Sequence, residues 1–247
     1  PNDVPRGPST SLGMTLVDRW ILHRLQEVIA ECREAYAAYE FHKVYHTLNH
    51  FCAVDLSSLY VDITKDRMYC DAADSPRRRA TQAAMHQIFE TLTKLLAPIL
   101  VFTADEAWSY LGRGGSVHLQ EFPVANEASR DPGADHAVQE LLRLRGVIGQ
   151  AVEQARQDKM IGNALEAAVV LRGDTASIRE MPKEEIEEFF ILSELTLEQS
   201  DTTSAFITKT HYEKCARCWR HRAAVGSSAA HPELCERCEN VVMMRVD

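Results

Sequence analysis

The sequence predicts a mainly α protein: an antiparallel helical bundle, then a small α/β unit, then a short cysteine-rich module. Three observations carry this expectation. Apolar residues recur at helical spacing through most of residues 15–112, with no strong strand signal. Period-two alternation follows later, at Leu165, Ala167, Val169 and Leu171. Four of the seven cysteines then fall into two C-x-x-C pairs, Cys215/Cys218 and Cys235/Cys238, with sixteen residues between the pairs. A chain of 247 residues, 45% hydrophobic, is long enough for one large or two modest cores.

Residues 1–14 read as an extended polar leader with Pro1, Pro5 and Pro8; no apolar run like that of a signal peptide is present. Thr15-Leu-Val-Asp18 is a capping box opening the first helix, whose apolar face is Leu16, Val17, Trp20, Ile21, Leu25, Val28, Ile29, Cys32 and Tyr36. A second stripe runs through Phe41, Val44, Tyr45, Leu48 and Phe51, then changes phase near Asp55 before Leu56, Leu59, Tyr60 and Ile63. Lys65–Asp74 is polar and reads as a loop. Ser75-Pro76 opens the next helix as N-cap and first-turn proline, and Pro98 ends or kinks it. Thr103-Ala-Asp-Glu106 reads as a capping box for a short helix closed by Gly112, Gly114 and Gly115.

These patterns divide the chain into a bundle over 15–122, a linker over 123–136, a small α/β unit over 137–210 and a cysteine module over 211–247. In the α/β unit, a helix with Val138, Leu141, Leu142, Val147, Ile148, Val152 and Ala155 is broken at Gly162-Asn163. Strands are expected at Leu165–Leu171, Leu195–Leu197 and Ala205–Ile207, with a short helix over Pro182–Phe190.

The paired C-x-x-C spacing supplies four thiolates able to converge on one tetrahedral Zn2+, with Cys215, Cys218, Cys235 and Cys238 as ligands. Full ligation by four cysteines leaves no open position, so such a metal is structural. Two disulfides or a chance cluster are the alternatives. The odd cysteine count argues against a secreted disulfide framework and for a reducing cytoplasm. His211, His221 or His231 could replace one sulfur, giving a site of three cysteines and one histidine. Cys32, Cys52 and Cys70 read as small buried hydrophobes.

The net charge of -9 argues against a generic, charge-driven nucleic-acid binder but leaves room for a local basic patch. Lys214, Arg217, Arg220 and Arg222 crowd the first knuckle, with Arg237 near the second. They could offset the charge of the metal–thiolate group or touch phosphates, with Trp219 or His221 stacking on a base. No P-loop, G-x-S-x-G or H-E-x-x-H motif occurs. His42, His46 and His50 lie four apart on one helical face, where solvation is the plainer expectation than metal binding. Arg77-Arg78-Arg79 opposes the dipole at a helix start, a mild pointer to an anionic partner.

Several stretches together resemble the C-terminal part of bacterial isoleucyl-tRNA synthetases, class I. They are Asp18-Arg-Trp-Ile-Leu-His-Arg-Leu25; Phe41-His-Lys-Val44 with Asn49–Ser57 and Lys65-Asp-Arg-Met-Tyr69; Leu95–Trp108; and Lys214-Cys-Ala-Arg-Cys-Trp-Arg-His221 with Leu234-Cys-Glu-Arg-Cys238. Lys159-Met-Ile-Gly162 and Leu165-Glu-Ala167 add to the likeness, which covers about residues 15–247. The helical stretches are shared with valyl, leucyl and methionyl relatives; the cysteine module is the discriminating piece.

The resemblance implies an anticodon-binding bundle of the class I type and a zinc module that helps hold tRNA(Ile). It also implies a cytoplasmic, monomeric parent that attaches isoleucine to that tRNA with ATP, through catalytic and editing domains. The H-I-G-H and K-M-S-K-S signatures are not in this chain, so no amino-acid activation, ATP use or editing is expected from it alone. Arg19, Arg24, Lys65 and Arg67 join Lys214, Arg217, Trp219, Arg220, His221 and Arg222 as RNA-contact candidates. No catalytic residue and no membrane contact are expected. The alternatives are a zinc-knuckle DNA-binding or repair protein and a protein-interaction module.

Overall fold

The computed structural model describes residues 13–244, so the extended-leader expectation lies almost wholly outside the described residues. The chain forms two compact units. The first holds residues up to Asp62 together with Asp74–Asp135; the second holds Ile63–Ala73 and the chain from His136 onward.

In the first unit, α1 (Leu16–Ala37) opens on the Thr15/Asp18 capping box. It buries Trp20, Ile21, Leu25, Val28, Ile29 and Cys32. Each large apolar side chain among them contributes about 1.5–3 kcal/mol when fully removed from water. Asp18 is a fully buried carboxylate with hydroxyl partners: it accepts from Thr15 Oγ1 at 2.7 Å, Tyr60 Oη at 2.7 Å and Thr81 Oγ1 at 2.9 Å. A buried charge without such donors would be costly.

After a turn, α2 (Phe41–His50) buries Val44 and Leu48 but leaves Phe41 and Tyr45 exposed, contrary to the single stripe expected there. The helix continues as a π-helical stretch, Phe51–Val61, which buries Phe51, Asp55, Leu59 and Tyr60. A π turn holds more residues than an α turn, and this is the physical form of the phase change near Asp55. The next helix, α3 (Asp62–Cys70), corrects the loop expectation for Lys65–Cys70; residues 71–74 are the non-helical part. From Ile63 on it belongs to the second unit, where Arg67 is buried against a charged partner, which periodicity does not register.

α4 (Pro76–Leu96) carries proline in its first turn, as expected. α5 (Val101–Ser109) begins before Thr103, so the capping box placed at Thr103–Glu106 does not form. Asp105 instead accepts from Ser116 Oγ at 2.5 Å and from the Val117 amide at 3.1 Å, tying α5 to the turn after it. The 123–136 segment is not a free linker. The Asn126 amide donates to Gln26 Oε1 at 2.8 Å and the Asp131 amide to His23 Nδ1 at 3.0 Å, fastening it along α1.

The second unit receives α6 (Pro132–Gln157), which buries Val138, Leu141, Leu144, Ile148 and Ala155. A three-stranded mixed sheet follows in the order β2-β1-β3. β1 (Ala167–Gly173) pairs parallel with β2 (Glu194–Gln199), Val169 opposite Leu195, and antiparallel with β3 (Ser204–Lys209), Val169 opposite Ile207. The parallel pair needs a crossover, and α7 (Ala176–Arg179) and α8 (Lys183–Phe190) supply it. α9 (Glu236–Met243) ends the described chain. No helix among the described residues is long and apolar enough to cross a membrane.

Candidate metal centre

The cysteine segment folds as two knuckles. In the first, the Trp219 amide donates to the Cys215 carbonyl at 3.0 Å and the Cys215 amide to the Arg220 carbonyl at 2.9 Å. This tight loop, closed by a bridge between Lys214 and His221, turns Cys215 and Cys218 toward the same point. It sets Trp219 at φ +65°, in the left-handed region. A bulky residue there costs about 1–2 kcal/mol that glycine would avoid. The second knuckle is the start of α9: Cys235 is its N-cap and Cys238 lies in its first turn. A helix N-terminus favours negative charge, which suits thiolates.

The four sulfurs of Cys215, Cys218, Cys235 and Cys238 lie within 4.8 Å of one another. Cys218 and Cys235 are 3.8 Å apart. Zn–S bonds of about 2.3 Å place the sulfurs of a tetrahedral site roughly 3.8 Å apart, so the donor set and its spacing fit zinc. It is the one cluster among the described residues suited to a metal ion, and it contains no histidine. Hydrogen bonds from Cys218 and then Cys238 pull the Cys235 thiol down to about 3, while hydrogen bonds with Cys218 and then Cys235 push Cys238 up. The Cys235 amide donates to Cys215 Sγ at 3.4 Å. Elsewhere, burial pushes Cys32 up to about 12 and Cys70 up to about 11.

The basic residues around the knuckles mostly point inward. Arg217 donates to Cys238 Sγ at 3.6 Å, to the Tyr69 carbonyl at 3.2 Å and to the Cys70 carbonyl. Arg220 is 6% exposed, donates to the Leu192 carbonyl at 3.0 Å and lies 3.6 Å from Asp66. Burial lowers its pKa, with Asp66 opposing. Arg222 pairs with Glu187 at 2.8 Å and the Ser193 carbonyl at 3.0 Å. Arg237 forks onto Asp66 at 2.7 and 2.9 Å; burial works against its charge, but the Asp66 bonds prevail and raise its pKa. His221 is half-buried, its Nδ1 2.7 Å from the Tyr212 carbonyl.

Arg67 is 1% exposed and bonded through Nε and Nη2 to Glu188 at 3.1 and 2.6 Å. The structure therefore takes Arg67 and Arg220 out of reach of an RNA, because their donors are spent on buried carboxylates and carbonyls. It leaves Lys65 exposed on α3, and Lys214 and Trp219 exposed on the first knuckle, with Lys214 Nζ 5.3 Å from the Trp219 ring centroid. In the first unit, Arg19 is half-exposed beside Asp131 at 3.0 Å, and Arg24 lies between Glu27 and Asp55. The His42, His46 and His50 face is exposed. One surface residue escaped the sequence reading: Tyr69, 80% exposed at the end of α3. The supposed loop concealed it.

Comparison with known proteins adds two family matches. The family described as the anticodon-binding domain of tRNA ligase matches residues 18–171, and the zinc finger found in FPG and IleRS matches residues 213–241. The isoleucine–tRNA ligase of Syntrophotalea carbinolica is 38% identical over 244 residues, covering 93% of this chain and 26% of that protein. That of Symbiobacterium thermophilum is 39% identical, covering 92% and 26% respectively. That of Xanthomonas campestris pv. campestris (strain 8004) is 39% identical, covering 91% and 25%. The chain thus spans about a quarter of the length of these relatives. On the match over residues 18–171, the chain belongs to the family of the anticodon-binding domain of tRNA ligase.

Proposed function

We propose that this chain is the tRNA-reading part of an isoleucine–tRNA ligase, holding tRNA(Ile) by its anticodon arm and carrying one structural Zn2+. The observation that carries this reading is the order of two features on one chain. An anticodon-binding match over 18–171 is followed by a four-cysteine finger over 213–241 whose sulfurs converge within 4.8 Å. Cys215, Cys218, Cys235 and Cys238 would hold the ion, which supplies folding energy and no chemistry, since four thiolates fill its coordination.

The chain's own work is binding. Lys65, Lys214 and Arg19 are exposed cations for phosphates, and Trp219 offers a face to an unstacked loop base. Arg217, Arg222 and Arg237 frame the finger instead. ATP-dependent attachment of isoleucine would belong to the catalytic part of such a ligase, and editing to a further domain. A cytoplasmic, monomeric parent completes the reading.

The test is the affinity of the zinc-loaded chain for tRNA(Ile) and for an unrelated tRNA across a salt series. Tighter binding to tRNA(Ile), weakening as salt rises, is expected. Equal binding to both would sink the isoleucine assignment, and no binding to either would sink tRNA reading altogether.

A further inference from the structure

We propose that Tyr69 and Trp219 form one surface for stacking unpaired RNA bases, and that the metal centre holds the two rings in place through Arg217. The inference rests on the tRNA-binding reading above and adds a residue and a mechanism to it.

Tyr69 stands on the last turn of α3 with 80% of its surface exposed, and Trp219 stands on the first knuckle at 61%. They are far apart in sequence but joined by one side chain. Arg217, two residues before Trp219, donates through Nη2 to the Tyr69 carbonyl at 3.2 Å and through Nη1 to the Cys70 carbonyl. These are last-turn carbonyls that α3 cannot satisfy itself, so Arg217 caps the helix from another segment. The same Nη1 lies 3.6 Å from Cys238 Sγ, and the Cys70 thiol donates back to the Arg217 carbonyl at 3.8 Å. Arg237, in the first turn of α9, adds a second clamp through Asp66 on α3 and Asp71 just past its end.

A zinc ion with four thiolates carries a formal charge of -2, and Arg217 is a cation held against one of those sulfurs. Without the ion only weak thiol–thiol contacts hold the four sulfurs, so Cys238 anchors the guanidinium less firmly and the cap at the end of α3 is weakened. Metal loading is thereby coupled to the position of Tyr69.

The chemistry of the surface favours bases as occupants. Both exposed groups are rings, and each has a lysine beside it. Lys65 lies four residues before Tyr69, on the same helical face, and Lys214 sits over the Trp219 ring. Rings flanked by cations suit single-stranded nucleic acid. Trp219 also keeps a left-handed backbone that glycine would occupy without strain, as expected where the side chain is used.

The experiment uses the 247-residue zinc-loaded chain and tRNA(Ile), with zinc content checked for every variant. Tyr69→Ala and Trp219→Ala should each weaken binding by about fivefold or more, the scale of losing one stacked base, while Tyr69→Phe stays near native. Arg217→Ala should retain the helix–sheet fold, speed amide exchange over residues 66–71 and weaken binding as Tyr69→Ala does. Because the Tyr69 side chain is exposed, its substitutions do not endanger the fold. Native affinity in Tyr69→Ala, with Trp219→Ala impaired, would overturn the shared surface and leave tRNA reading intact. Unchanged exchange over 66–71, both in Arg217→Ala and on zinc removal, would overturn the clamp. Failure of the native chain to bind any tRNA would overturn the underlying reading too.

Discussion

The first unit packs Trp20, Ile21, Leu25, Phe51 and Leu95 with a fully buried carboxylate, Asp18, whereas the second buries a whole ion pair and a cluster of thiols. In the first, burial is mostly apolar contact, and Asp18 accepts from hydroxyls within the unit. In the second, Arg67 bonds Glu188, Arg220 and Arg237 pair with Asp66, and four cysteines converge in a cluster that fits a zinc ion. Apolar burial is graded and tolerant of small losses. A buried charge or thiolate is close to all-or-none, because removing one partner strands the other. The first unit should therefore stand without metal and yield gradually to mutation, and the second should fail in steps.

The largest effect that can break this comparison is metal removal. Cys235→Ser, or a strong chelator, should abolish protection of the cysteine segment and loosen α3, since zinc supplies about 10–16 kcal/mol in small modules. Fluorescence from Trp20 and Trp108, both buried in the first unit, should keep its native denaturation midpoint. A parallel loss of that signal would show that the units do not stand apart.

Next comes the buried pair. Glu188→Ala should cost about 3–5 kcal/mol by taking its carboxylate away from the buried Arg67 guanidinium, measured by denaturant unfolding of the zinc-loaded chain. The double change Arg67→Met with Glu188→Leu should recover most of that. A single variant no worse than the double would mean that water reaches the pair.

Smaller again is Trp20→Phe in the first unit. The ring is buried at 2% and its Nε1 donates to Asp135 at 3.2 Å. Loss of that bond and some contact area should cost about 1–2 kcal/mol. A loss as large as that for Glu188→Ala would contradict the graded behaviour assigned to this core.

The smallest is a pH effect. The Ser116 hydroxyl and Val117 amide hold Asp105 below the usual aspartate range. A group whose folded pKa is depressed stabilises above its unfolded value and loses that contribution as pH falls through the folded one. NMR titration should find Asp105 still ionised below pH ~3.9, and Ser116→Ala should return it toward that ordinary value. An unshifted Asp105 in the native chain would mean the α5 turn is not held as described.

The sequence revealed the two units unequally, for the same physical reason. Apolar periodicity located α1, Ser75-Pro76 the start of α4, and the cysteine spacing the metal cluster. The expected loop over Lys65–Asp74 is helical as far as Cys70, where Asp66 and Arg67 find charged partners at Arg237 and Glu188, more than a hundred residues away. Hydropathy cannot distinguish a solvated charge from one buried against such a partner. The same blindness made Arg217, Arg220 and Arg222 look like an outward basic edge, when their acceptors are the Tyr69 and Leu192 carbonyls and Glu187. It also hid Tyr69, whose exposure shows only once α3 is seen as a helix. Trp219 was visible as an aromatic beside a knuckle, but whether it packed beneath the metal or faced outward depended on a backbone angle.

The most direct measurement is a nuclease footprint of tRNA(Ile) with the chain, zinc-loaded and zinc-stripped. The loaded chain should protect the anticodon loop and adjoining stem, and stripping should remove part of that protection while contacts made by the first unit persist. An anticodon loop cleaved equally with and without the loaded chain would contradict the assignment of this protein as a reader of tRNA.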